Sequence, residues 1–249
     1  MSGHSKWAQI KRQKGVADAR RGQVFTKLTR EIMLAARTGG GSLESNYQLR
    51  LVVQKAKDSN MPSENIDRAI KRGVGGGEGT NLVEIMFEGY GMNGVAVLIE
   101  ALTDNRNRTV QEVRSTLTRH GGSLGETGCV AWLFDTRGVI TVDASEGGAD
   151  DIALQAIDAG AEDVKTEGDY VEVYTETGVM EDVRQALESS FKVVSAEVSR
   201  VPKTTVMLDD SKAGQMMSFL DQLEQLDDVQ RVFSNADFSD TALQGLQQA

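Results

Sequence analysis

Two rhythms of apolar residues divide the chain. In its first third they recur at steps of three and four. Phe25, Leu28, Ile32 and Ala36 put one apolar stripe on a helix that emerges at Arg21. Lys27, Arg30 and Arg37 fall on the opposite side of that wheel, and the run Gly39-Gly40-Gly41 stops it. A second helix is predicted over Asn46 to Asp58, burying Leu49, Val52, Val53 and Ala56. A third is framed by Pro62, a Ser63 N-cap and a stop at Gly73, and it buries Ile66, Ala69 and Ile70. The run from Gly73 to Gly79 then reads as a flexible linker and a domain boundary.

Past the glycines the spacing shortens to that of strands. Val83 to Tyr90 and Val95 to Leu102 are predicted strands, Asn105 to Arg119 a helix with Val110, Val113 and Leu117 inward, and Cys129 to Phe134 another strand. Next comes a βαββαβ alternation: strand 138–142, helix 150–159, strands 163–166 and 170–174, helix 181–189 and strand 193–201. That order is the ferredoxin-like split unit. After Pro202 a strand over 204–208, a helix over 212–226 and a strand over 229–233 form one more half, whose natural partner is the strand–helix–strand of residues 95–134. The expectation is an α+β protein: a helical N-terminal bundle followed by two ferredoxin-like α/β domains, one inserted into the other. Its parts are a basic arm over 1–20, a helical domain with its linker over 21–79, a discontinuous domain from 80–134 and 202–240, an insert over 135–201, and a flexible tail over 241–249.

Charge sharpens this picture. The net charge of −10 hides a split: residues 1–80 hold 15 Lys+Arg against 7 Asp+Glu, and residues 81–249 hold 12 against 30. A cationic head attracts phosphate, and an anionic trunk repels it. No apolar run is long enough to span a bilayer, and the first residues lack the apolar stretch of a secretory signal. A single cysteine, Cys129, suits a reducing compartment, so the expected location is the cytoplasm, away from membranes.

Catalysis finds few candidates. The two histidines are His4, in the arm, and His120, at a helix end beside Gly121-Gly122, where it serves the helix dipole. Cys129 reads as a small core residue. Clustered Cys and His for a metal are lacking, and the glycines at 73–79 are not followed by the Lys-Ser/Thr of a phosphate loop. Neither a catalytic residue, a metal nor a cofactor is expected.

The strongest signal is the basic set Lys6, Lys11, Arg12, Lys14, Arg20, Arg21, Lys27, Arg30 and Arg37, with Asp18 and Glu31 as its only acidic neighbours. Clustered cations gain from counterion release on a polyanion, and arginine grips phosphate bidentately. Trp7 suits stacking on an unpaired base, or else anchoring of the arm on the bundle. The competing reading of the whole set is a solvated face that balances the acidic trunk by intramolecular attraction. Arg68, Lys71 and Arg72 form a secondary cluster at the end of the third helix. Arg106 and Arg108 oppose the dipole at the start of their helix, so they pair with acids or touch an anionic partner. The expected partner is DNA or RNA, the ribosome included, with a protein partner at the acidic domains as a further expectation. A ligand-sensing or protein-interaction module is the alternative of another class.

Several ordered motifs carry a resemblance. Gly3-His4-Ser5-Lys6-Trp7, Arg21-Gly22 through Phe25-Thr26-Lys27, Ile70-Lys71-Arg72-Gly73-Val74-Gly75-Gly76, Glu88-Gly89-Tyr90-Gly91, Asp104-Asn105-Arg106-Asn107-Arg108-Thr109-Val110 and Ser195-Ala196-Glu197-Val198 resemble the YebC family. The likeness runs along nearly the whole chain. It implies a three-domain α/β protein with a helical N-terminal domain, a role in transcriptional regulation, and no catalytic centre. Mitochondrial members of that family are translational activators, which implies translation on the ribosome as the other setting.

Overall fold

The apolar stripe of the first helix finds its partners within the next forty residues. In the computed structural model, which describes residues 18–75, 82–239 and 241–242, helix α1 spans Asp18–Gly39, α2 Tyr47–Asp58 and α3 Ser63–Gly75. Leu28, Ile32, Ala36, Leu49, Val53, Ala56, Ile66 and Ala69 form their common core. Helix α1 starts within the segment expected as an arm; residues 1–17 of that arm, the glycines after residue 75 and the tail from 243 lie outside the described residues. Buried Asn46 joins two helices. Its Oδ1 accepts from Leu49 N at 3.0 Å and caps α2, while its Nδ2 donates to the carbonyls of Ala35 and Gly40 at the end of α1.

Two helix signals read differently in place. Pro62, not Ser63, holds the cap position of α3, since its carbonyl accepts from Ile66 N at 3.3 Å. Gly73 is no stop: α3 runs on to Gly75, and Gly73 is buried where α3 crosses α1. A Cβ there would lie 2.5 Å from the Met33 carbonyl oxygen and 2.8 Å from Ala36 Cβ. The glycine lets two backbones approach.

Strands β1 (Val83–Tyr90), β2 (Ala96–Thr103), β3 (Ser123–Leu124) and β9 (Val229–Ser234) make an antiparallel sheet in the order β3-β1-β2-β9. Helices α4 (Arg106–Arg119) and α7 (Asp210–Glu224) cover one face, packing Val113, Leu117, Met216, Phe219, Leu220 and Leu223 on Phe87, Val97, Ile99 and Val232. The other face holds Ala96, Leu98 and Phe233 under Val130 and Phe134.

The segment predicted as strand Cys129–Phe134 is a turn followed by a 3-10 turn at Ala131–Leu133. The buried carboxylate of Glu88 accepts from the backbone N–H groups of Gly128, Val130 and Ala131 at 2.6–2.9 Å, which removes the donors that a ladder needs. The strand after Pro202 also departs from the expected arrangement. That strand, β8 (Val206–Leu208), stays out of the sheet and pairs in parallel with β10 (Ala236–Phe238). Strand β1 takes the place expected for it. The result is the ferredoxin-like strand arrangement with its chain order permuted.

Between β3 and β8 the chain builds a second sheet from β4 (Phe134–Asp143), β5 (Asp163–Glu167), β6 (Tyr170–Thr175) and β7 (Val193–Pro202), in the order β5-β6-β4-β7. Helices α5 (Ala149–Asp158) and α6 (Met180–Glu188) bury Ile152, Ala156, Val183 and Leu187 against Ile140, Val142, Val171 and Val173. Antiparallel pairing of β4 with β7 runs out to Phe134 opposite Pro202, where the chain leaves and returns to the first sheet unit. The protein is therefore α+β, a helical bundle followed by two ferredoxin-like units, the second inserted into the first.

Candidate nucleic-acid interface

Helix α1 docks by its polar side on the end of α7. Gln23 Nε2 donates to the Gln225 carbonyl at 3.3 Å, Lys27 Nζ donates to the Glu224 carbonyl, and Arg30 Nη1 donates to the Asp227 carbonyl. These positions are spaced by four and three, hence on one face. The Glu224 carbonyl, at the C-terminus of α7, carries partial negative charge that attracts Lys27, and the Asp227 carbonyl lies in the turn that follows. Lys27 and Arg30, part of the expected phosphate-binding set, thus face inward to the acidic trunk.

Asp228 is the centre of this contact. Its side chain is 1% exposed; Oδ1 lies 3.0 Å from Arg30 Nη1, and Oδ2 lies 2.7 Å from Arg108 Nη2 and from Thr109 Oγ1. Thr103 Oγ1 donates to Oδ2 at 3.0 Å. Burial pushes the Asp228 carboxyl up, but hydrogen bonds from Arg108, Thr109 and Thr103 and the charge of Arg30 outweigh it, so the group titrates below the usual aspartate range. Arg108 also pairs with Asp104 at 2.9 Å, and Asn105 caps α4 by accepting from Arg108 N at 3.1 Å. The sequence 104–109 is in large part a clamp for one aspartate. Of the two expectations for Arg108, the pairing with acids is what the structure shows.

Other cations face solvent. Arg68, Lys71 and Arg72 are exposed along the last two turns of α3 and have no ion-pair or hydrogen-bond partner among the described residues, and the same is true of Lys57 on α2. Arg37 is exposed in the last turn of α1, and Arg20 and Arg21 lie in its first turn. Lys6, Trp7, Lys11, Arg12 and Lys14 fall outside the described residues. On α4, Arg106, Arg114 and Arg119 are exposed, and the last two line a shallow depression with Gln111, Ser115 and Thr118. Sequence reasoning passed over Arg114 and Arg119, since a charge every few residues on an amphipathic helix looks like an ordinary solvated face.

Among the described residues, Cys129, His120 and Glu88 are tied into structure. Burial pushes the Cys129 thiol up and the charge of Glu88 adds to this, the reverse of an activated nucleophile. His120 Nδ1 donates to the Thr116 carbonyl at 2.9 Å, and its ring lies 5.3 Å from that of Phe219. Burial also raises the Glu88 carboxyl, but its three backbone donors bring it below the ordinary glutamate value. Among the described residues no three His, Cys, Asp or Glu side chains converge on a metal-sized space, and no helix is long and apolar enough to cross a membrane. Trp132, a residue the sequence did not single out, is 65% exposed, with its indole N–H donating to the Cys129 carbonyl at 3.1 Å.

Comparisons with known proteins agree along the chain. Residues 5–76 match the model of the TACO1/YebC protein N-terminal domain, and residues 82–236 match that of the TACO1/YebC second and third domain. A "probable transcriptional regulatory protein" of Dehalococcoides mccartyi is 56% identical over 96% of this chain and 95% of its own length. One of the same description from Desulfosudis oleivorans is 52% identical over 97% of this chain and 98% of its own. The crystal structure of a conserved hypothetical protein from Aquifex aeolicus superposes with a TM-score of 0.81 at 43% identity, covering 90% of this chain and 93% of that one. With both halves matched and relatives of this identity along almost all its length, the chain belongs to the TACO1/YebC family.

Proposed function

We propose that the protein is a cytoplasmic regulator of gene expression that binds nucleic acid through its basic N-terminal region. The observation that carries this reading is the exposed row Arg68, Lys71 and Arg72 on α3, which has no carboxylate partner among the described residues. It lies within a segment of 15 Lys+Arg against 7 Asp+Glu, on a chain whose net charge is −10. Solvent-facing cations that no internal acid neutralises are available to phosphate, and their release of counterions drives association. The regulatory names of the relatives support the same reading. Lys27 and Arg30 have a different part in it: they hold the bundle on the trunk, so contact falls to Arg68, Lys71, Arg72 and the cations nearer the N-terminus.

Phosphate contacts carry no sequence information, so the polymer is identified by capture. Crosslinking in cells followed by sequencing of the bound nucleic acid is the test. Recovery of promoter DNA identifies a transcriptional regulator, and recovery of ribosomal RNA identifies a factor acting on the ribosome. Crosslinks are expected on residues 1–75; their absence there, with no nucleic acid enriched, ends this reading.

A further inference from the structure

Between residues 82 and 242 the chain has twelve Lys and Arg residues, and nine of them make ion pairs with carboxylates: Arg108, Arg137, Lys165, Arg184, Lys192, Arg200, Lys203, Lys212 and Arg231. That is the expected state of a trunk rich in acid. The three without such a pair among the described residues are Arg106, Arg114 and Arg119, and all three lie exposed on one helix, α4. The polar residues beside them are Asn107, Gln111, Ser115 and Thr118, all exposed and all able to donate hydrogen bonds. Glu112 is the one carboxylate of α4, and it is half-buried and makes no ion pair with any of the three. A solvent face that collects unpaired guanidinium groups and neutral donors, on a body that neutralises its cations everywhere else, is complementary to phosphate.

The face also adjoins the basic bundle. Arg30 of α1 and Arg108 in the first turn of α4 hold the two oxygens of the same Asp228 carboxylate, so one carboxylate stands between α1 and the start of α4. From Arg106 to Arg119 the helix rises about 20 Å, a length along which a duplex presents several phosphates on each strand.

We infer that the outer face of α4, through Arg106, Arg114 and Arg119, is a second contact surface for the phosphate backbone of the nucleic acid bound by the N-terminal region. This rests on the nucleic-acid reading above, but it assigns contacts to the trunk, which its net charge alone would exclude.

The test uses the full-length protein and two variants, R106A/R114A/R119A on α4 and R68A/K71A/R72A on α3. Each is titrated against an RNA stem–loop and a DNA duplex of matched length over a range of salt. The α4 variant is expected to lose affinity, with the slope of log K against log salt shallower by about 2 to 3, as follows from the loss of three phosphate contacts. Loss on only one of the two polymers supports the inference and names the polymer. A lysine variant, R106K/R114K/R119K, is expected to restore most of the slope, because the charge is kept. If the α4 variant binds with the wild-type affinity and slope while the α3 variant is weakened, this inference falls and the N-terminal reading stands. If the α3 variant is unaffected and the α4 variant weakened, the α4 contacts stand and Arg68, Lys71 and Arg72 are removed from the N-terminal surface. Failure of the wild type to bind either probe overturns both. Unchanged thermal unfolding of the α4 variants is expected, since the three side chains have no partner among the described residues.

Discussion

Arg30 Nη1 lies 3.0 Å from Asp228 Oδ1, an ion pair between the first helix of the bundle and a buried aspartate at the edge of the first sheet unit. The other oxygen belongs to Arg108, Thr103 and Thr109. One carboxylate therefore stands between two guanidinium groups from distant parts of the chain. Asp228→Ala leaves Arg30 without its acid and Arg108 with Asp104 alone, and removes the carboxylate to which Thr103 and Thr109 donate; it is expected to destabilise the protein by roughly 2–3 kcal/mol. Denaturant unfolding measures this. A double-mutant cycle with Arg30→Ala is expected to be strongly non-additive, and additive values would show that the two residues do not act on each other.

The same site predicts a pH dependence. Asp228 titrates lower when folded than its ordinary value of 3.8, so the stability it contributes is complete above that value and is lost as pH falls through the folded pKa. Asp228→Asn lacks this contribution at every pH. The stability gap between wild type and Asp228→Asn is expected to be constant from neutral pH down to about 5 and to close in stronger acid. A gap that widened on acidification would contradict the assignment.

Two glycines on one helix are expected to respond in opposite directions. Replacing glycine by alanine in a helix normally stabilises by about 1 kcal/mol. Gly75, at the end of α3, has open space where a Cβ would stand, so Gly75→Ala is expected to be neutral or mildly stabilising. Gly73→Ala would set a methyl 2.5 Å from the Met33 carbonyl and is expected to cost about 1–3 kcal/mol by forcing α1 and α3 apart. Thermal unfolding of the pair separates the two effects.

Loss of the Glu88 carboxylate is expected to loosen residues 128–131 before anything else. Glu88→Ala leaves the N–H groups of Gly128, Val130 and Ala131 without their acceptor. Hydrogen exchange at these amides is expected to accelerate by an order of magnitude or more, since each charge-assisted bond is worth about 1.5–3 kcal/mol. Protection unchanged from wild type would remove Glu88 from its structural role.

What the sequence made legible follows from how local each cause is. The stripe Phe25, Leu28, Ile32 and Ala36 specifies its helix by itself, and Gly40 takes the positive φ of 83° that ends it. Gly73 has two local meanings, stop or close approach, and only Met33 on another helix decides between them. The apolar run 129–134 has the pattern of a strand and is not one, because Glu88, some forty residues earlier, takes its donors. The swap of β8 for β1 has the same origin, since short apolar strands are alike until pairing sorts them. At the candidate interface, clustering identified the basic segment, but it could not separate Lys27 and Arg30, which face the end of α7, from Arg68, Lys71 and Arg72, which face water. Arg114 and Arg119 stand out only once every other cation of the trunk has been assigned its acid.

Phe134 and Pro202 are partnered residues on β4 and β7, so the two ends of the inserted unit sit side by side at the spacing of neighbouring strands. The chain enters and leaves this unit on a two-stranded stalk, and contacts beside it add to the attachment: Arg231 Nη1 donates to the Val198 carbonyl at 2.7 Å and Arg200 pairs with Glu100 at 3.8 Å. A short turn closing the stalk could replace the unit, at the loss of the contacts that Val198 and Arg200 make with β9 and β2. Away from Val198 and Arg200 its length and surface are thus free to change over evolution while the clamp at Asp228 and the helices beside it stay as they are.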